Sequence, residues 1–541
     1  MSEDTKMVFN MSDACLTEIC KRGQGQRRAY IWVAGSLQTL DYTFEMVEQE
    51  SGKIASVLCD LGVVSGDVVS IFLPRQPELI GAFFAILKNQ AVACILFSTF
   101  GETAILDRLQ DNRSKIVITK KSLLRKVLNV QDQLADLQYV LVTDADDHIS
   151  EKVLSLPKLL SMASENFVYP AGLLAETPAF LQYTSGSTGK PKGVVHVHGA
   201  LETMVHSFEE VMDVREGERY WCTADPAWIT GIVYGVIAPF YKTVDQVQFG
   251  GTYQAERWLN VLQSFGVNVW YTAPTALRML MQEEEQLFTR FDYRALERIY
   301  CVGEPLNPEI YHWGMRVLGK QIWDTFFQSE TGSIMVANRQ GMQVRPGSMG
   351  KPLSYIEANI LDRQGNRLPV GEQGLLCFRV NWGSMFRDYL NKRSLYEEKF
   401  IGEYYLTGDL AWRDADGYFW YVGRADDVIN TAGHLVGPFE IESALLEVPD
   451  IADVAVIGVP DPILHERILA FVCVRKGVSW SKELELNCRV TVSNRVSSVA
   501  IPQEFRVVDK IPKNKSGKIL RRVLKAWYQG VDPGDLSTME E

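Results

Sequence analysis

A glycine-rich segment at positions 183–193 is the part of the sequence best suited to hold an anion. Its residues, Tyr-Thr-Ser-Gly-Ser-Thr-Gly-Lys-Pro-Lys-Gly, include three glycines, four Ser or Thr hydroxyls and two lysines. Glycines let backbone N–H groups converge on phosphate oxygens, hydroxyls donate further hydrogen bonds or hold a metal ion, and Lys190 and Lys192 supply positive charge. The pattern favours a phosphate-binding loop, and a solvated surface loop is the alternative.

The spacing inside this loop excludes the common P-loop. That motif has four residues between its glycines, and a Ser or Thr follows its lysine. Here Gly186 and Gly189 are two residues apart, and Pro191 follows Lys190. A kinase of the P-loop type is therefore not predicted.

Six further motifs follow the loop along the chain. They are Tyr-Thr-Ala-Pro-Thr-Ala-Leu-Arg at 271–278, Gly-Glu-Pro at 303–305, Asp-Thr-Phe-Phe-Gln-Ser-Glu-Thr-Gly at 324–332, Tyr-Leu-Thr-Gly-Asp at 405–409, Gly-Arg-Ala-Asp-Asp at 423–427 and Pro-Lys-Asn-Lys-Ser-Gly-Lys at 512–518. Over nearly the whole chain, this series resembles the adenylate-forming superfamily of acyl-CoA synthetases, nonribosomal adenylation domains and luciferases. Within that superfamily, the chain is most similar to the acetyl-CoA synthetases and the other short-to-medium-chain acyl-CoA synthetases.

The resemblance implies an enzyme that activates a small carboxylic acid with ATP as an acyl-adenylate, releases pyrophosphate and transfers the acyl group to coenzyme A. It also implies an α/β fold, with a large multi-sheet N-terminal adenylation domain (residues 1–425) and a small mobile α+β C-terminal lid domain (residues 426–541). An adenylation enzyme that loads a free carrier protein is the alternative, because only about 16 residues follow Lys525 and leave no room for a fused carrier. A luciferase-like oxygenase and a non-catalytic interaction protein fit the motifs less well.

The resemblance assigns roles to the nucleotide-binding residues. Glu330 would help to bind Mg²⁺, since a carboxylate is a hard oxygen ligand, and Asp409 would accept hydrogen bonds from the ribose hydroxyls with help from Arg424. By residue type alone, Glu330 could be a surface acid and Asp409 a cap or turn residue. The β- and γ-phosphates, and then pyrophosphate, would be held by Thr184, Ser185, Gly186, Ser187, Thr188, Gly189, Lys190 and Lys192. Adenine would be lined by Gly303, Glu304, Pro305, Asp324, Thr325 and Phe326, and Gln328, Ser329 and Thr331 complete the predicted site.

Lys518 is the predicted catalytic cation. A carboxylate that attacks the α-phosphorus of ATP meets a second anion, so an ammonium group that contacts both lowers the barrier electrostatically. The alternative is that Lys518 is one lysine of a solvated basic tail, because further lysines surround this position. The Lys-Ser-Gly-Lys setting also resembles sites of reversible acetylation, which would remove the charge. A lysine acetyltransferase and a deacetylase are therefore hypothetical partners.

The second half-reaction requires different groups around the same carbonyl, and the resemblance implies that the C-terminal domain rotates about a hinge at Asp426. Gly433, in the segment 431–434, would then leave room for the pantetheine arm of coenzyme A. One residue departs from the family pattern, since Leu435 stands where an arginine usually follows the Gly-His pair. How the adenylating pose is secured without that charge is left open, with Lys513 and Lys515 as candidate substitutes.

The acyl pocket is expected to be small. The segments 220–225 and 225–231 resemble the acetyl-CoA synthetase branch, in which two adjacent tryptophans close the pocket around acetate. Phe326 and Phe327 occupy those two positions here. The acyl end would be lined by Trp228, Ile229, Thr230, Val302 and Phe327, and the smaller Phe327 ring leaves room for one or two methylenes. We therefore expect acids from acetate to butyrate or small branched acids, with acetate alone as the narrower variant. Ordinary core packing is the alternative role for any one of these side chains.

The elements that must position these residues are typical of an α/β protein. Short β-rich runs at 68–73, 115–119, 139–142, 179–183, 267–271, 298–302 and 358–361 alternate with helix-like stretches, and a turn at 416–417 joins two strands. A helix after the glycine-rich loop places Leu201, Val205 and Phe208 on one face. After about residue 427 the chain has its own strands, at 454–459 and 469–475, and a basic tail.

Composition agrees with a large cytoplasmic enzyme. The 541 residues exceed one ordinary core. The formal net charge of -12 disfavours a nucleic-acid or anionic-membrane surface. Nine cysteines without a Cys-x-x-Cys pair favour neither zinc nor disulfides. No apolar run is long enough to serve as a signal peptide or to span a bilayer, so neither secretion nor stable membrane insertion is expected.

Overall fold

A computed structural model describes residues 10–164, 167–170, 172–185, 191–431, 434–514, 517–534, 536 and 539. Five predicted phosphate-loop residues (186–190) and the predicted tunnel residue Gly433 lie outside the described residues. Ser185 and Leu435 are described through their backbone alone. The remaining predicted site residues can be placed.

The strands of the described residues form three sheets. In chain order they are β1 Arg28–Val33, β2 Thr39–Thr43, β3 Val68–Ile71, β4 Val92–Ile95, β5 Ile116–Thr119, β6 Tyr139–Val142, β7 Val153–Ser155, β8 Pro178–Ser185, β9 Pro191–Val197, β10 Arg219–Cys222, β11 Asp245–Phe249, β12 Val269–Thr272, β13 Arg298–Cys301, β14 Ile322–Phe326, β15 Val336–Ala337, β16 Ser348–Pro352, β17 Ala358–Leu361, β18 Gly374–Arg379, β19 Asp388–Tyr389, β20 Phe400–Ile401, β21 Tyr404–Arg413, β22 Phe419–Arg424, β23 Ile429–Thr431, β24 His434–Val436, β25 Ile451–Asp461, β26 His465–Val474 and β27 Glu504–Val507.

Helices cover the faces of these sheets. In chain order the α-helices are α1 Phe44–Asp60, α2 Pro77–Lys88, α3 Glu102–Asp111, α4 Lys121–Leu128, α5 Leu156–Leu160, α6 Leu201–Met212, α7 Ile229–Ile232, α8 Ala238–Tyr241, α9 Ala255–Ser264, α10 Pro274–Met281, α11 Glu285–Phe288, α12 Pro308–Trp313, α13 Arg393–Glu397, α14 Pro438–Leu446, α15 Lys482–Arg495 and α16 Arg521–Gln529. Short π-helical turns occur at Asp13–Thr17, Cys20–Gln24, Val233–Ile237 and Gly314–Leu318, and 3-10 turns at Gln131–Gln133, His198–Ala200 and Ser498–Ala500.

Buried apolar runs build the two large sheets. The strands β3, β4 and β5 pair in parallel and are almost entirely buried, as expected for a sheet covered by helices on both faces. They belong to an eight-stranded sheet of order β19-β9-β8-β4-β3-β5-β6-β7. A fourteen-stranded sheet has the order β17-β18-β21-β22-β16-β15-β14-β13-β12-β10-β11-β1-β2, with β20 beside β21. The predicted α/β class is confirmed.

The parallel centre of the larger sheet positions the site. The strands β10, β12, β13 and β14 lie side by side and in parallel, so the loops that follow them emerge at one edge. Ligands of open α/β sheets bind at such carboxyl ends. The predicted helix after the glycine-rich loop is α6, and its predicted apolar face is buried. The predicted turn at 416–417 joins the antiparallel strands β21 and β22.

The third sheet lies in the C-terminal part of the chain. Its order is β24-β23-β26-β25, with β27 beside β26. Ser481 precedes the helix α15, and its side chain accepts a hydrogen bond from the Leu484 amide and so caps the helix. Two apolar clusters drawn only from residues 429–528 fill this small unit. Among the described residues, no helix combines the length and the apolar character that a bilayer crossing requires.

Candidate active site

A cavity of about 500 Å³ opens at the carboxyl ends of β10, β12, β13 and β14. Its walls also include β21, β22 and residues from the C-terminal unit. The predicted residues that line it are Thr184, Trp228, Ile229, Thr230, Val302, Gly303, Glu304, Pro305, Asp324, Thr325, Phe326, Phe327, Gln328, Ser329, Asp409, Arg424 and Lys518. Lys192, Glu330, Thr331 and Asp426 are not part of this lining. Motifs from seven separate parts of the sequence therefore meet at one cavity.

The buried Asp409 and the partly exposed Arg424 form an ion pair beside the cavity. They face each other across β21 and β22, and Asp409 Oδ1 lies 3.2 Å from Arg424 Nη1. Gln328 Nε2 donates to Asp409 Oδ2 at 2.7 Å, and the Tyr405 hydroxyl donates to Gln328 Oε1 at 2.8 Å. Burial raises the pKa of Asp409, while Arg424 and Lys518 act in the opposite direction. The carboxylate is fixed in orientation and suited to accept hydrogen bonds from a diol.

The predicted phosphate end of the site is formed by the residues on either side of the glycine-rich loop. Thr184 on β8 pairs with Lys192 on β9, so the two sides of the loop are held together by the sheet. The Lys192 ammonium lies 5.3 Å from the centre of the Tyr389 ring, and the Tyr389 hydroxyl donates to Glu330 Oε1 at 2.7 Å. Burial lowers the pKa of Lys192, and Lys399 lowers it further. An anion bound here would relieve this repulsion between cations.

Glu330 is the described residue best suited to contact a metal ion. One of its carboxylate oxygens accepts the Tyr389 hydrogen bond, and its backbone oxygen accepts from the Phe386 amide at 2.8 Å. Among the described residues, no group of three His, Cys, Asp or Glu side chains could hold a metal by itself. A single carboxylate fits a Mg²⁺ ion that takes its other ligands from phosphate oxygens and water.

The base end of the cavity contains a buried acceptor. Asp324 is buried, and its Oδ1 atom has no hydrogen-bond donor among the described residues. Burial raises the pKa of Asp324 well above its ordinary value. Thr325 donates to the Cys301 carbonyl at 2.7 Å, which fixes β14 against β13. An N–H group of a bound base would satisfy this acceptor.

Glu304 has a different environment from the rest of the base end. Its carboxylate forms an ion pair with Arg278, and its Oε1 atom accepts from the Thr275 amide at 3.3 Å. The neighbouring Gly303 has a φ of +91°, in the left-handed region that favours glycine. The Glu304 side chain is therefore engaged by the protein, and the turn at Gly303 sets its position.

Aromatic rings close the acyl end. The Trp228 ring lies 4.8 Å from the Phe97 ring, and the Phe327 ring meets Tyr234 edge-on at 5.3 Å. Tyr234 is fixed in turn, because its hydroxyl is hydrogen-bonded to Ser207 at 2.7 Å and accepts from the Ile334 amide at 2.6 Å. Phe327 cannot move towards Tyr234, so the wall of the acyl end is rigid.

A close backbone approach shapes the same wall at Gly231. A Cβ atom at this position would lie 2.1 Å from the Asp225 carbonyl oxygen. Only glycine fits, and the turn that follows β10 can therefore fold back on itself. This brings Ile229 and Thr230 to the cavity.

Lys518 reaches the cavity from the C-terminal unit. Its backbone amide donates to Asn514 Oδ1 at 2.9 Å. Its ammonium is close enough to Arg424, Asp409 and Asp427 for their charges to affect its pKa, which is lowered by partial loss of solvent inside the cavity and by Arg424. The structure thus places Lys518 beside the Asp409 and Arg424 pair.

The hinge candidate Asp426 and the candidate arginine substitute Lys513 both have charged partners. Asp426 is exposed, and its carboxylate is 3.5 Å from Arg424 Nε. The Lys513 ammonium is paired with Asp453 at 2.6 Å, inside the C-terminal unit. Lys515 lies outside the described residues.

Several residues of the site carry no sequence signal of their own. Tyr389, Lys392 and Lys399 belong to a segment that contains none of the motifs, yet Lys392 donates to the Pro191 carbonyl at 2.9 Å and so holds one side of the loop. Tyr234 lies in an apolar helical segment, where the pattern predicts only that an aromatic residue is part of the core. The sequence also gives no indication of the role of Arg278, although this residue belongs to the motif at 271–278.

Comparisons with known proteins agree with this geometry. The family model described as AMP-binding enzyme matches residues 17–390, and the model described as AMP-binding enzyme C-terminal domain matches residues 440–518. The acetyl-coenzyme A synthetase of Bacillus subtilis (strain 168) is 43% identical over 503 residues, which are 92% of this chain and 87% of that protein. The acetyl-coenzyme A synthetase of Deinococcus radiodurans is 36% identical over 565 residues, covering 99% of this chain and 86% of that protein.

Solved structures give the same result. The anthranilate CoA ligase AuaEII in complex with anthranoyl-AMP superimposes with a TM-score of 0.89 at 26% identity, covering 97% of this chain and 98% of that one. An acyl-CoA synthetase from Brucella canis has a TM-score of 0.75 at 29% identity, covering 98% of this chain and 96% of that one. Because the two family models cover most of the chain and the acetyl-coenzyme A synthetases align along almost all of it, the chain belongs to the family of AMP-binding enzymes.

Proposed function

We propose that this protein is an AMP-forming acyl-CoA synthetase that converts a short-chain carboxylic acid, ATP and coenzyme A into acyl-CoA, AMP and pyrophosphate. The observation that carries the proposal is the meeting of Lys518, the Asp409 and Arg424 pair and Thr184 around one cavity, with Lys192 paired to Thr184 in the sheet on the other side of the phosphate loop. Full-length similarity to acetyl-coenzyme A synthetases supports the same reaction.

The first half-reaction needs charge neutralisation more than acid–base chemistry. The carboxylate oxygen forms a bond to the α-phosphorus, and the bond from that phosphorus to the bridging oxygen of pyrophosphate breaks. Asp409 accepts hydrogen bonds from the ribose hydroxyls, and these bonds fix the position of the nucleotide. Lys518 contacts both the entering carboxylate and the α-phosphate, so the attack of one anion on another is made less unfavourable. Lys192 neutralises charge at the departing end.

Mg²⁺ is part of this proposal. Glu330 would hold the ion, with the Tyr389 hydrogen bond fixing the carboxylate. When bound, the ion supplies positive charge to the β- and γ-phosphates and makes pyrophosphate a better leaving group. The donor set fits, because one oriented carboxylate leaves most of the coordination shell to phosphate oxygens and water.

The second half-reaction transfers the acyl group from AMP to sulfur. The coenzyme A thiolate attacks the acyl carbonyl, and the bond between that carbon and the phosphate oxygen of AMP breaks. We place the boundary of the two domains at residues 425 and 426, with Asp426 as the hinge. The third sheet and its apolar clusters, which begin at residue 429, support this division. After rotation, the segment around Gly433 would line the pantetheine arm.

The acid is short. Phe327 stands against the immobile Tyr234 ring, and Val302, Ile229 and Thr230 complete the wall. We expect these side chains to leave space for acetate and for one or two further methylenes, each of which contributes about 0.8 kcal/mol when buried. Acids from acetate to butyrate, including small branched acids, are the proposed substrates.

The decisive experiment follows pyrophosphate and coenzyme A separately. Purified protein with Mg²⁺ is tested for exchange of labelled pyrophosphate into ATP with straight-chain acids from C2 to C8, and then for acyl-CoA formation. Exchange that peaks between C2 and C4, followed by acyl-CoA, is expected. Absence of exchange with every acid would refute an adenylating enzyme, and a peak at C6 or longer would refute the pocket assignment.

A carrier-loading enzyme is the second candidate. It predicts the same exchange but no acyl-CoA, so coenzyme A dependence separates the two. A cytoplasmic location accords with substrates such as ATP and coenzyme A and with nine cysteines that are all unpaired. Reversible acetylation of Lys518 is a regulatory hypothesis, which mass spectrometry of the protein from its native source tests directly.

A further inference from the structure

A glycine turn from the C-terminal unit fits against the main body without room for a side chain. Gly517 has a φ of +87°. A Cβ atom at this position would lie 2.2 Å from Thr275 Oγ1 and 2.3 Å from Glu304 Oε1. Thr275 Oγ1 also lies 3.4 Å from the Gly517 carbonyl oxygen, to which it donates. The turn immediately before Lys518 is therefore pressed onto the first residues of α10 and onto the Glu304 turn.

The surface that receives this turn is held in place by one arginine. Arg278 Nη2 donates to Thr275 Oγ1 at 2.7 Å and is paired with the Glu304 carboxylate, while Nη1 donates to Asn307 Oδ1 at 3.3 Å. The side chains of Arg278 and Glu304 are only 14% and 8% exposed. Thr275 Oγ1 accepts from Arg278, and Glu304 Oε1 accepts from the Thr275 amide while Oε2 of the same carboxylate is paired with Arg278. Neither atom that a Cβ would meet can therefore move aside without breaking a contact inside this group. We name Thr275, Arg278, Glu304 and Asn307 the Arg278 cluster.

A second contact reaches the C-terminal unit from the same cluster. Asn307 Nδ2 donates to Ser443 Oγ on α14 at 2.8 Å. Asp453, on β25 of the third sheet, is near enough to favour the charged form of Arg278. The cluster thus contacts the C-terminal unit through the turn at Gly517 and through α14, while its own hydrogen bonds keep it rigid.

These contacts offer a way to hold the C-terminal unit in place although position 435 is a leucine. The sequence lacks the arginine expected after His434, and Lys513 is committed to Asp453 within its own unit. We infer that the Arg278 cluster positions Lys518 for adenylation by seating the Gly517 turn and α14, and that it has no part in the thioester step. The inference rests on the proposed function, because it presumes that the C-terminal unit leaves this seat before coenzyme A reacts.

The test separates the two half-reactions. Gly517→Ala is compared with wild type in pyrophosphate exchange and in acyl-CoA formation from supplied acyl-adenylate. Gly477→Ala is the matched control, because Gly477 has the same φ of +87° but no atom within 4 Å of its Cβ position. We expect exchange to fall at least 100-fold in the Gly517 variant and thioester formation to stay within about threefold. The control variant retains both activities.

A milder pair of variants guards against misfolding of the glycine variant. Asn307→Ala and Ser443→Ala remove the same hydrogen bond from its two ends. Each should lower exchange several-fold, and the double variant should lose no more than the worse single one. Equal loss of both half-reactions with a lowered Tm would assign the contacts to stability and overturn the inference, as would full exchange in the Gly517 variant.

A cross-link supplies a readout that does not depend on either activity. In the double variant Asn307→Cys and Ser443→Cys, oxidation should join the two units, and a mass shift of the linked peptides reports it. The oxidised protein should keep pyrophosphate exchange and lose acyl-CoA formation, and a reductant should restore it. Failure of the link to form, or thioester formation while linked, contradicts the inference. Loss of exchange in wild type would instead refute the proposed function.

Discussion

At the scale of single residues, the acyl end of the cavity depends on the ring of Phe327. A tryptophan there would extend into the cavity, because Tyr234 blocks movement in the other direction. We expect Phe327→Trp to retain acetate activity and to lower kcat/KM for propionate and butyrate relative to acetate. Loss of the contact of each methylene, about 0.8 kcal/mol, corresponds to a factor of about four per carbon. Tyr241→Trp, at an exposed position, is the control, and an unchanged acid profile would contradict the pocket assignment.

The protonation of Lys518 predicts an alkaline limit to adenylation. The ammonium form is needed, and partial loss of solvent inside the cavity, together with the Arg424 charge, lowers the pKa of Lys518 from its ordinary 10.5. Activity should be present below the shifted pKa and lost as pH rises through it. The decline in kcat/KM for ATP in the exchange reaction should therefore have its midpoint at a pH lower than 10.5. Lys518→Arg, which stays charged, should be slower but should lack this limb. Burial also lowers the pKa of Lys192. If the alkaline loss of activity disappeared only in Lys192→Arg, it would be assigned to Lys192 and not to Lys518.

Residues inside the motifs were predictable, and their partners were not. Asp409, Arg424 and Lys518 were identified from short motifs, and the structure places all three at one cavity. Tyr389 and Arg278 act through contacts with Glu330 and Glu304, which lie 59 and 26 residues away in sequence. A single sequence contains no signal for such pairings, because they exist only after the sheets have formed.

At the scale of elements, the pairing of β19 with β9 brings Tyr389 to Glu330. Tyr389 pairs with Val194, two residues beyond Lys192 on β9. Tyr389→Phe removes the hydrogen bond and leaves the ring beside Lys192. We expect the Mg²⁺ concentration that gives half-maximal exchange to rise about tenfold, since the loss of an orienting partner typically costs 10- to 100-fold in metal affinity.

The control for the Tyr389 variant is Tyr241→Phe, at an exposed position. Both variants should have a Tm close to that of wild type, because each removes a single hydroxyl group and leaves the ring packing in place. An increase in the KM for the acid without a change in the Mg²⁺ dependence would contradict an orienting role for Tyr389.

The existence of the strands was predictable to a greater degree than their order. The β-rich runs at 68–73, 139–142 and 358–361 correspond to β3, β6 and β17, because apolar β-branched residues bounded by turn signals define a strand locally. The order of the large sheet, in which β16 separates β15 from β22, depends on contacts between strands tens of residues apart. Local periodicity carries no information on that order.

At the scale of the whole molecule, the site is assembled from two units. The sheets of the main body supply the walls that we propose to hold the nucleotide and the acyl group. Lys518 comes from the C-terminal unit, at a position outside the third sheet. The seat at Thr275 and Glu304 holds the turn that precedes this lysine. In the proposed mechanism, a cation placed on a separate unit is present for the step that forms the adenylate and is withdrawn before the thiolate approaches.

This arrangement predicts that Lys518→Ala affects one half-reaction. Pyrophosphate exchange should fall by about 10²–10³, because the lost contact stabilises the transition state by roughly 2.7 to 4 kcal/mol. Acyl-CoA formation from supplied acyl-adenylate should stay within a few-fold of wild type, since that step has no anionic nucleophile approaching a phosphate. Lys482→Ala, at an exposed lysine of the same unit, should change neither rate. If both half-reactions fell together, Lys518 would be acting on the adenylate itself, and a withdrawn lysine in the second step would be ruled out.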